Sequence, residues 1–346
     1  MKKFTLRLIV AILALSMLVL PFASCAKEDT DKKDSTTTSE KDPESAPVLD
    51  TKLEINVYLL NGTTALGASK LISDAKDGSA ELNYKIQTFP SADSITGAIV
   101  TGDCAIAALP TNAAANLYKK SGGKVQLLAI NTLGVLYLLN NGEEIDGFDS
   151  LEGKTVYLPG AGSNPEFITA ALFEANGVEN VTLDTTSYPS PDALASAMIA
   201  GNVSLGVLPQ PKVTAVMMQN DAIEIAMDFT HEWETVYGEN TMAQGCLVVN
   251  TEFAKAHPDE LAKFLDDYKA SVEYIAEGSD EAVQMIVDAG ILPNAKIAKE
   301  ALPACNICFI EGKAMKDAIS IFYEKLYESN DKSIAAIPDD AFYYAR

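Results

Sequence analysis

Two stretches of this chain repeat one order of strand, turn and helix at a fixed offset of 99 residues. That repeat constrains the fold more than any other feature. Val57-Tyr58-Leu59 returns as Val156-Tyr157-Leu158, Gly78 as Gly177, and Pro90, Ser91 and Asp93 as Pro189, Ser190 and Asp192. Ala98, Gly102 and Leu109-Pro110 return as Ala197, Gly201 and Leu208-Pro209, giving eleven identities over 54 positions. The matches gather at strand ends and helix starts, where backbone geometry is most demanding. Short apolar runs alternating with helical periodicity imply α/β units with parallel strands. Two similar βαβ units predict two lobes, each a mainly parallel sheet flanked by helices, with a cleft between them.

The connections set the expected boundaries. Leu127 to Asn140 is apolar and interrupted by Gly134, and Cys246-Leu-Val-Val-Asn250 reads as a strand returning to the first lobe. Two such crossings make a hinge. The first lobe is therefore expected to be discontinuous, over 51–135 and 246–346, with the second over 136–245. From Phe253 onward the pattern is mostly helical and is expected to pack on the first lobe. Asp259 to Glu277 and Lys313 to Tyr327 carry apolar residues at three- and four-residue spacing.

Residues 1–25 read as a secretory leader. Lys2, Lys3 and Arg7 precede a run, Leu8 to Leu20, of 13 residues that are apolar apart from Ser16, shorter than the ~20 a membrane span needs. The run ends in Pro21-Phe22-Ala23-Ser24-Cys25, and small residues directly before a cysteine resemble a bacterial lipobox. Cys25 is the expected lipidation site, carrying diacylglycerol and palmitate, with Phe22 departing from the usual Leu. Ordinary cleavage near Ser24 is the alternative. Residues 26–50 hold no aromatic and little that is apolar, and predict a solvated tether. Together these features imply a chain held on the outer face of the cell membrane by its lipid anchor alone.

Without Lys2, Lys3 and Arg7, 23 basic side chains face 48 acidic ones. Such a balance argues against a nucleic-acid partner. Cys305-Asn-Ile-Cys308 has redox or zinc spacing, but no second pair or nearby histidine accompanies it, so a structural or free thiol pair is expected and no metal. Only His231 and His257 are present. No Gly-x-Ser-x-Gly elbow, zinc-type histidine pair or Walker loop occurs, and Gly160-Ala-Gly162 lacks the third glycine of a dinucleotide fingerprint. Neither a cofactor nor catalysis is expected.

Asp149-Ser-Leu-Glu-Gly-Lys-Thr-Val156, Leu194 to Leu208, and Cys246-Leu-Val-Val-Asn-Thr-Glu-Phe253 followed by His257-Pro-Asp-Glu260 resemble segments of the ABC-transporter solute-binding proteins of the nitrate, sulfonate, taurine and thiamine-precursor group. Phe322-Tyr-Glu-Lys-Leu-Tyr327 and Pro338-Asp-Asp-Ala-Phe-Tyr-Tyr344 resemble the C-terminal end of some members. The resemblance implies a type II periplasmic-binding-protein fold and a monomer that captures a small-molecule solute for an ABC permease and its ATPase. A surface sensor or adhesin on the same fold is the alternative. An enzyme like the thiamine-pyrimidine synthase is a weaker one, since its cysteine-rich motif is absent here.

In open α/β sheets ligands sit beyond the carboxyl ends of the strands, where helix N-termini point free N–H groups outward. That rule selects Asn61, Thr63, Thr64, Pro110, Thr111 and Asn112 on the first lobe. Gly162, Ser163, Asn164 and Gln210 face them from the second, with Gln244 at the hinge. These side chains suit hydrogen bonding without proton transfer. Ser163, Asn164 and Thr64 could equally serve as helix caps. Beyond the leader Arg346 is the only arginine, so a guanidinium clamp on an anion is not expected in the cleft. Lys212 is the nearest lysine by sequence, and Phe229, His231, Trp233 and Tyr237 make an aromatic segment able to stack on a flat solute or to cover a core edge.

Overall fold

A computed structural model describes residues 48–346. The expected leader, Cys25 and the tether as far as residue 47 lie outside the described residues. The strands are β1 (Glu54–Leu60), β2 (Asn83–Phe89), β3 (Ile106–Pro110), β4 (Val125–Thr132), β5 (Leu136–Asn141) and β6 (Thr155–Tyr157). They continue as β7 (Thr182–Asp184), β8 (Leu205–Pro209), β9 (Ile223–Asp228), β10 (Gly245–Asn250) and β11 (Ile307–Glu311). They form two sheets, ordered β11-β4-β10-β3-β1-β2 and β7-β6-β8-β5-β9. In the first, β1 runs parallel to β2 and β3; in the second, β6 runs parallel to β7 and β8. The 99-residue repeat thus maps β1 onto β6, β2 onto β7 and β3 onto β8.

Each parallel trio is extended by a strand from elsewhere in the chain. β10 inserts antiparallel between β3 and β4, and β5 inserts antiparallel between β8 and β9. Both are covered on two faces, so they read as continuous apolar runs rather than alternating ones: every residue of β10 is buried, as are the first five of β5. Between β4 and β5 the chain turns through Leu133-Gly134-Val135. A side chain at Gly134 would place its Cβ 2.3 Å from Thr230 Oγ1 and 2.7 Å from Met242 Sδ, so glycine is required for the crossing to lie this close.

Several elements end or break for local reasons. The strand β7 stops at Asp184, whose carboxylate accepts from the N–H groups of Thr186 and Ser187 and from the Ser187 hydroxyl. These bonds, the Ser187 hydroxyl foremost, hold that carboxyl down at about 2 and make a turn incompatible with the ladder. The first helix breaks into Thr63–Leu66 and Ser69–Asp77, where a Cβ on Gly67 would meet Val272 Cγ2 at 2.7 Å. At the end of the expected tether, Leu49 packs against the first-sheet core and the Asp50 N–H donates to Glu260 Oε1 at 2.8 Å.

The aromatic segment is a helix, Phe229–Tyr237, begun by Asp228, whose carboxylate accepts the Thr230 and His231 N–H groups. Phe229 and Trp233 are fully buried, so these two rings belong to the core, while His231 is exposed. The segment's partner is the helix Gly312–Ser329, which also packs against the first sheet. Phe322 lies 5.4 Å from the Trp233 ring, and Lys325 Nζ sits 5.7 Å over Tyr237. The Tyr323 hydroxyl donates to Thr111 O at 2.8 Å on the first-sheet side. One core therefore runs through both sheets, joining Leu127 and Val248 to Leu138 and Val156 through Ile319 and Phe322. Phe322→Ala should lower unfolding stability by about 3–5 kcal/mol, read from the shift of a urea denaturation midpoint at unchanged slope.

Candidate functional site

The carboxyl ends of both parallel trios open onto one cavity of about 600 Å³, within the size range of small-molecule sites. Of the eleven residues singled out from sequence, nine line it: Asn61, Thr63, Thr64, Pro110, Asn112, Gly162, Ser163, Asn164 and Gln244. The other two do not. Thr111 is fully buried, with its hydroxyl donating to Ala243 O at 2.7 Å and its N–H to Gln244 O at 3.1 Å. It fastens the helix Thr111–Ser121 to the hinge. Gln210 turns away and starts the next helix, its Oε1 accepting from the Thr214 hydroxyl at 2.9 Å and the Thr214 N–H at 3.3 Å.

Capping does not explain the candidates that line the cavity. Thr64 Oγ1 donates back to Leu60 O at 2.8 Å, and Ser163 Oγ donates to Gly160 O at 2.7 Å and Pro159 O at 3.1 Å. Neither closes the start of its helix. Asn164 Nδ2 lies 3.5 Å from Gln244 O, and its buried Oδ1 has no partner among the described residues. Ser190 does cap its helix, accepting from the Ala193 N–H at 3.2 Å, as its position before Pro191 leads one to expect.

Seven lining residues are prolines: Pro90, Pro110, Pro159, Pro165, Pro189, Pro191 and Pro209. Proline has no N–H, so the rims that usually offer backbone donors are partly stripped of them. Pro165 and Pro191 occupy the first turns of their helices. Pro90 with Pro189 and Pro110 with Pro209 are partners in the 99-residue repeat, and each follows or ends a strand. That coincidence was the available sequence signal for Pro90, Pro189 and Pro209, which hydrogen-bonding chemistry alone overlooked. Val135 and Leu136, also in the lining, come from the crossing itself.

No lining residue is ionisable and none is aromatic. Lys212, the candidate cation, pairs instead with Asp192, and neither contributes to the lining. The Gly162 N–H is taken by Glu166 Oε2 at 2.6 Å, which puts a carboxylate where an anion would otherwise bind. Arg346 is bound to Asp266 and Glu311, at 2.8 and 2.6 Å. Cys104, Cys246, Cys305 and Cys308 are free thiols, and burial pushes Cys104, Cys305 and Cys308 up to about 12, far from the thiolate form that reacts or ligates metal. Among the described residues no three His, Cys, Asp or Glu side chains gather as a metal site requires, and no helix is long and apolar enough to cross a membrane.

The profile of the NMT1/THI5-like family matches residues 92–282, more than half the chain. The chain belongs to the NMT1/THI5-like family. Curated protein sequences give no match. Solved structures do. An ABC transporter protein from Parabacteroides distasonis aligns at 21% identity and a TM-score of 0.72, covering 86% of this chain and all of that one. The periplasmic aliphatic sulphonate binding protein SsuA from Escherichia coli aligns at 13% identity and 0.67, covering 84% and 92%. The ligand-binding component of an ABC-type import system from Staphylococcus aureus, solved with zinc bound, aligns at 13% and 0.64, covering 84% and 96%. The fold of this NMT1/THI5-like chain is accordingly the two-lobed type II periplasmic-binding-protein fold.

The cavity floor yields a prediction. β10 begins at Gly245, where a Cβ would meet Thr64 Cγ2 at 2.7 Å, Asn131 Oδ1 at 2.8 Å and Thr132 Cβ at 2.9 Å. Gly245→Ala should cost about 1–3 kcal/mol through overpacking, measured by guanidinium titration, and the displaced Thr64 should narrow the cavity in a crystal structure of the variant.

Proposed function

We propose that this protein is an extracytoplasmic solute receptor of an ABC importer. It takes a small, uncharged organic solute into the cavity between its sheets, delivers it to a permease, and catalyses no reaction. The carrying observation is a cavity of about 600 Å³ with no ionisable side chain in its lining. A site without a titratable group has nothing to exchange protons with a substrate near neutral pH, and no fixed cation to offset a buried anion. Family membership and fold support a binding role. In this reading the first lobe is built from 51–135 and 246–346, the second from 136–245, and they close on the solute as a monomer. The nine cavity-lining candidates then contact it, and Cys25 carries the lipid that holds the receptor at the outer face of the membrane.

Screened against uncharged metabolites, the protein should gain melting temperature with dose for at least one compound. Its calorimetric affinity should stay flat between pH 5 and 8. A broad screen without a shift, or an affinity that follows a titration in that window, counts against the reading. Intact-mass measurement of the membrane-extracted protein should place diacylglycerol on an N-terminal Cys25; an unmodified mature start would remove the anchor.

A further inference from the structure

Two amide side chains of the cavity lining have their oxygens engaged by backbone N–H groups and their NH2 groups without a partner among the described residues. Gln244 is 8% exposed and Asn112 9% exposed, and both line the cavity. Gln244 Oε1 accepts the Val135 N–H at 2.6 Å, and Asn112 Oδ1 accepts the Ala113 N–H at 2.9 Å. Those bonds settle which end of each amide is oxygen, because a carboxamide nitrogen cannot accept a hydrogen bond. Gln244 Nε2 and Asn112 Nδ2 are left without a protein partner among the described residues. Their backbones are neighbours: Gly245 pairs with Pro110 across β10 and β3, and the Thr111 N–H donates to Gln244 O at 3.1 Å.

No positive charge lies in the lining beside them, and none of the acceptors in it bonds to either amide: the hydroxyls of Thr64, Ser163 and Thr132 donate to Leu60 O, to Gly160 O and Pro159 O, and to Asn131 Oδ1, and Asn164 Oδ1 has no partner among the described residues. An amide N–H without a protein partner is free to bond a complementary acceptor on a solute. An oxoanion would also accept from these amides, but it would sit without a countercharge beside helix starts carrying Pro165 and Pro191.

From this, and resting on the receptor reading above, we propose that Gln244 and Asn112 form a paired donor site that selects solutes presenting an uncharged acceptor edge. The class is an amide, lactam, urea or ring-carbonyl compound. The remaining body of the solute lies against proline rings and the Val135 and Leu136 side chains.

Three probes of one shape test this: benzamide (neutral, carbonyl acceptor), benzoate (anionic acceptor) and benzamidine (cationic, donor only). They are titrated calorimetrically at pH 8 into the wild-type protein, Gln244→Glu and Asn112→Asp. Each variant keeps the oxygen that holds its backbone N–H and replaces the free donor with an acceptor, and circular dichroism checks its fold. Wild type should bind benzamide most tightly. In either variant benzamide should weaken about tenfold or more while benzamidine strengthens. Should benzamide fail to bind, a hit from the metabolite screen takes its place in the same comparison. Preference of the wild type for benzoate, or equal binding of the neutral compound by wild type and both variants, overturns the paired-donor assignment and leaves the receptor standing. If neither the probes nor the screen yields any binder, the receptor reading falls and the assignment with it.

Discussion

Each sheet of this protein depends on a strand that the chain delivers across the cleft. β10 arrives from the second half to lie between β3 and β4, and β5 leaves the first half to lie between β8 and β9. Neither sheet is complete until the chain has crossed and returned. The price is close packing at the crossings, where Gly134 passes Thr230 and Met242, and Gly245 passes Thr64 and Thr132. Gln244 stands between these two glycines in space and ties them together. Its N–H donates to Thr132 O, its Oε1 takes the Val135 N–H, and its carbonyl receives the Thr111 N–H. A residue bound to both crossings and facing the cavity couples the binding surface to the hinge by direct contact.

The C-terminal helix Gly312–Ser329 adds a second tie. By packing Phe322 on Trp233 and hydrogen-bonding Tyr323 to Thr111, it builds a core shared by both sheets. Packed aromatics there resist motion of one sheet relative to the other.

The chemistry of the cavity follows from the same economy. Helix starts beyond parallel strands ordinarily gather N–H groups and favour anions. Here prolines occupy several of those positions, Glu166 takes the Gly162 N–H and Asn112 takes that of Ala113. The acidic surface of the chain acts in the same direction by disfavouring anions at a distance.

Much of this was legible in the residues because it depends on local covalent preference. The 99-residue repeat marked three parallel strands in each sheet, since strand ends and caps demand particular residues. The rule that ligands lie beyond strand carboxyl ends brought nine residues to the cavity, because topology places them there whatever their side chains do. Side-chain direction was not legible. Whether Thr111 and Gln210 face solute or protein depends on Ala243, Gln244 and Thr214, partners that only the fold brings near. The aromatic segment 229–237 looked the same in sequence as core or as stacking surface, and its Trp233 became core because Phe322 arrives from 89 residues beyond it. The sequence by itself therefore determined the layers, the parallel trio in each sheet and the lack of an arginine for a guanidinium clamp. Only the tertiary structure decided which amides have a free N–H and which lysine is already paired, since both depend on partners distant along the chain.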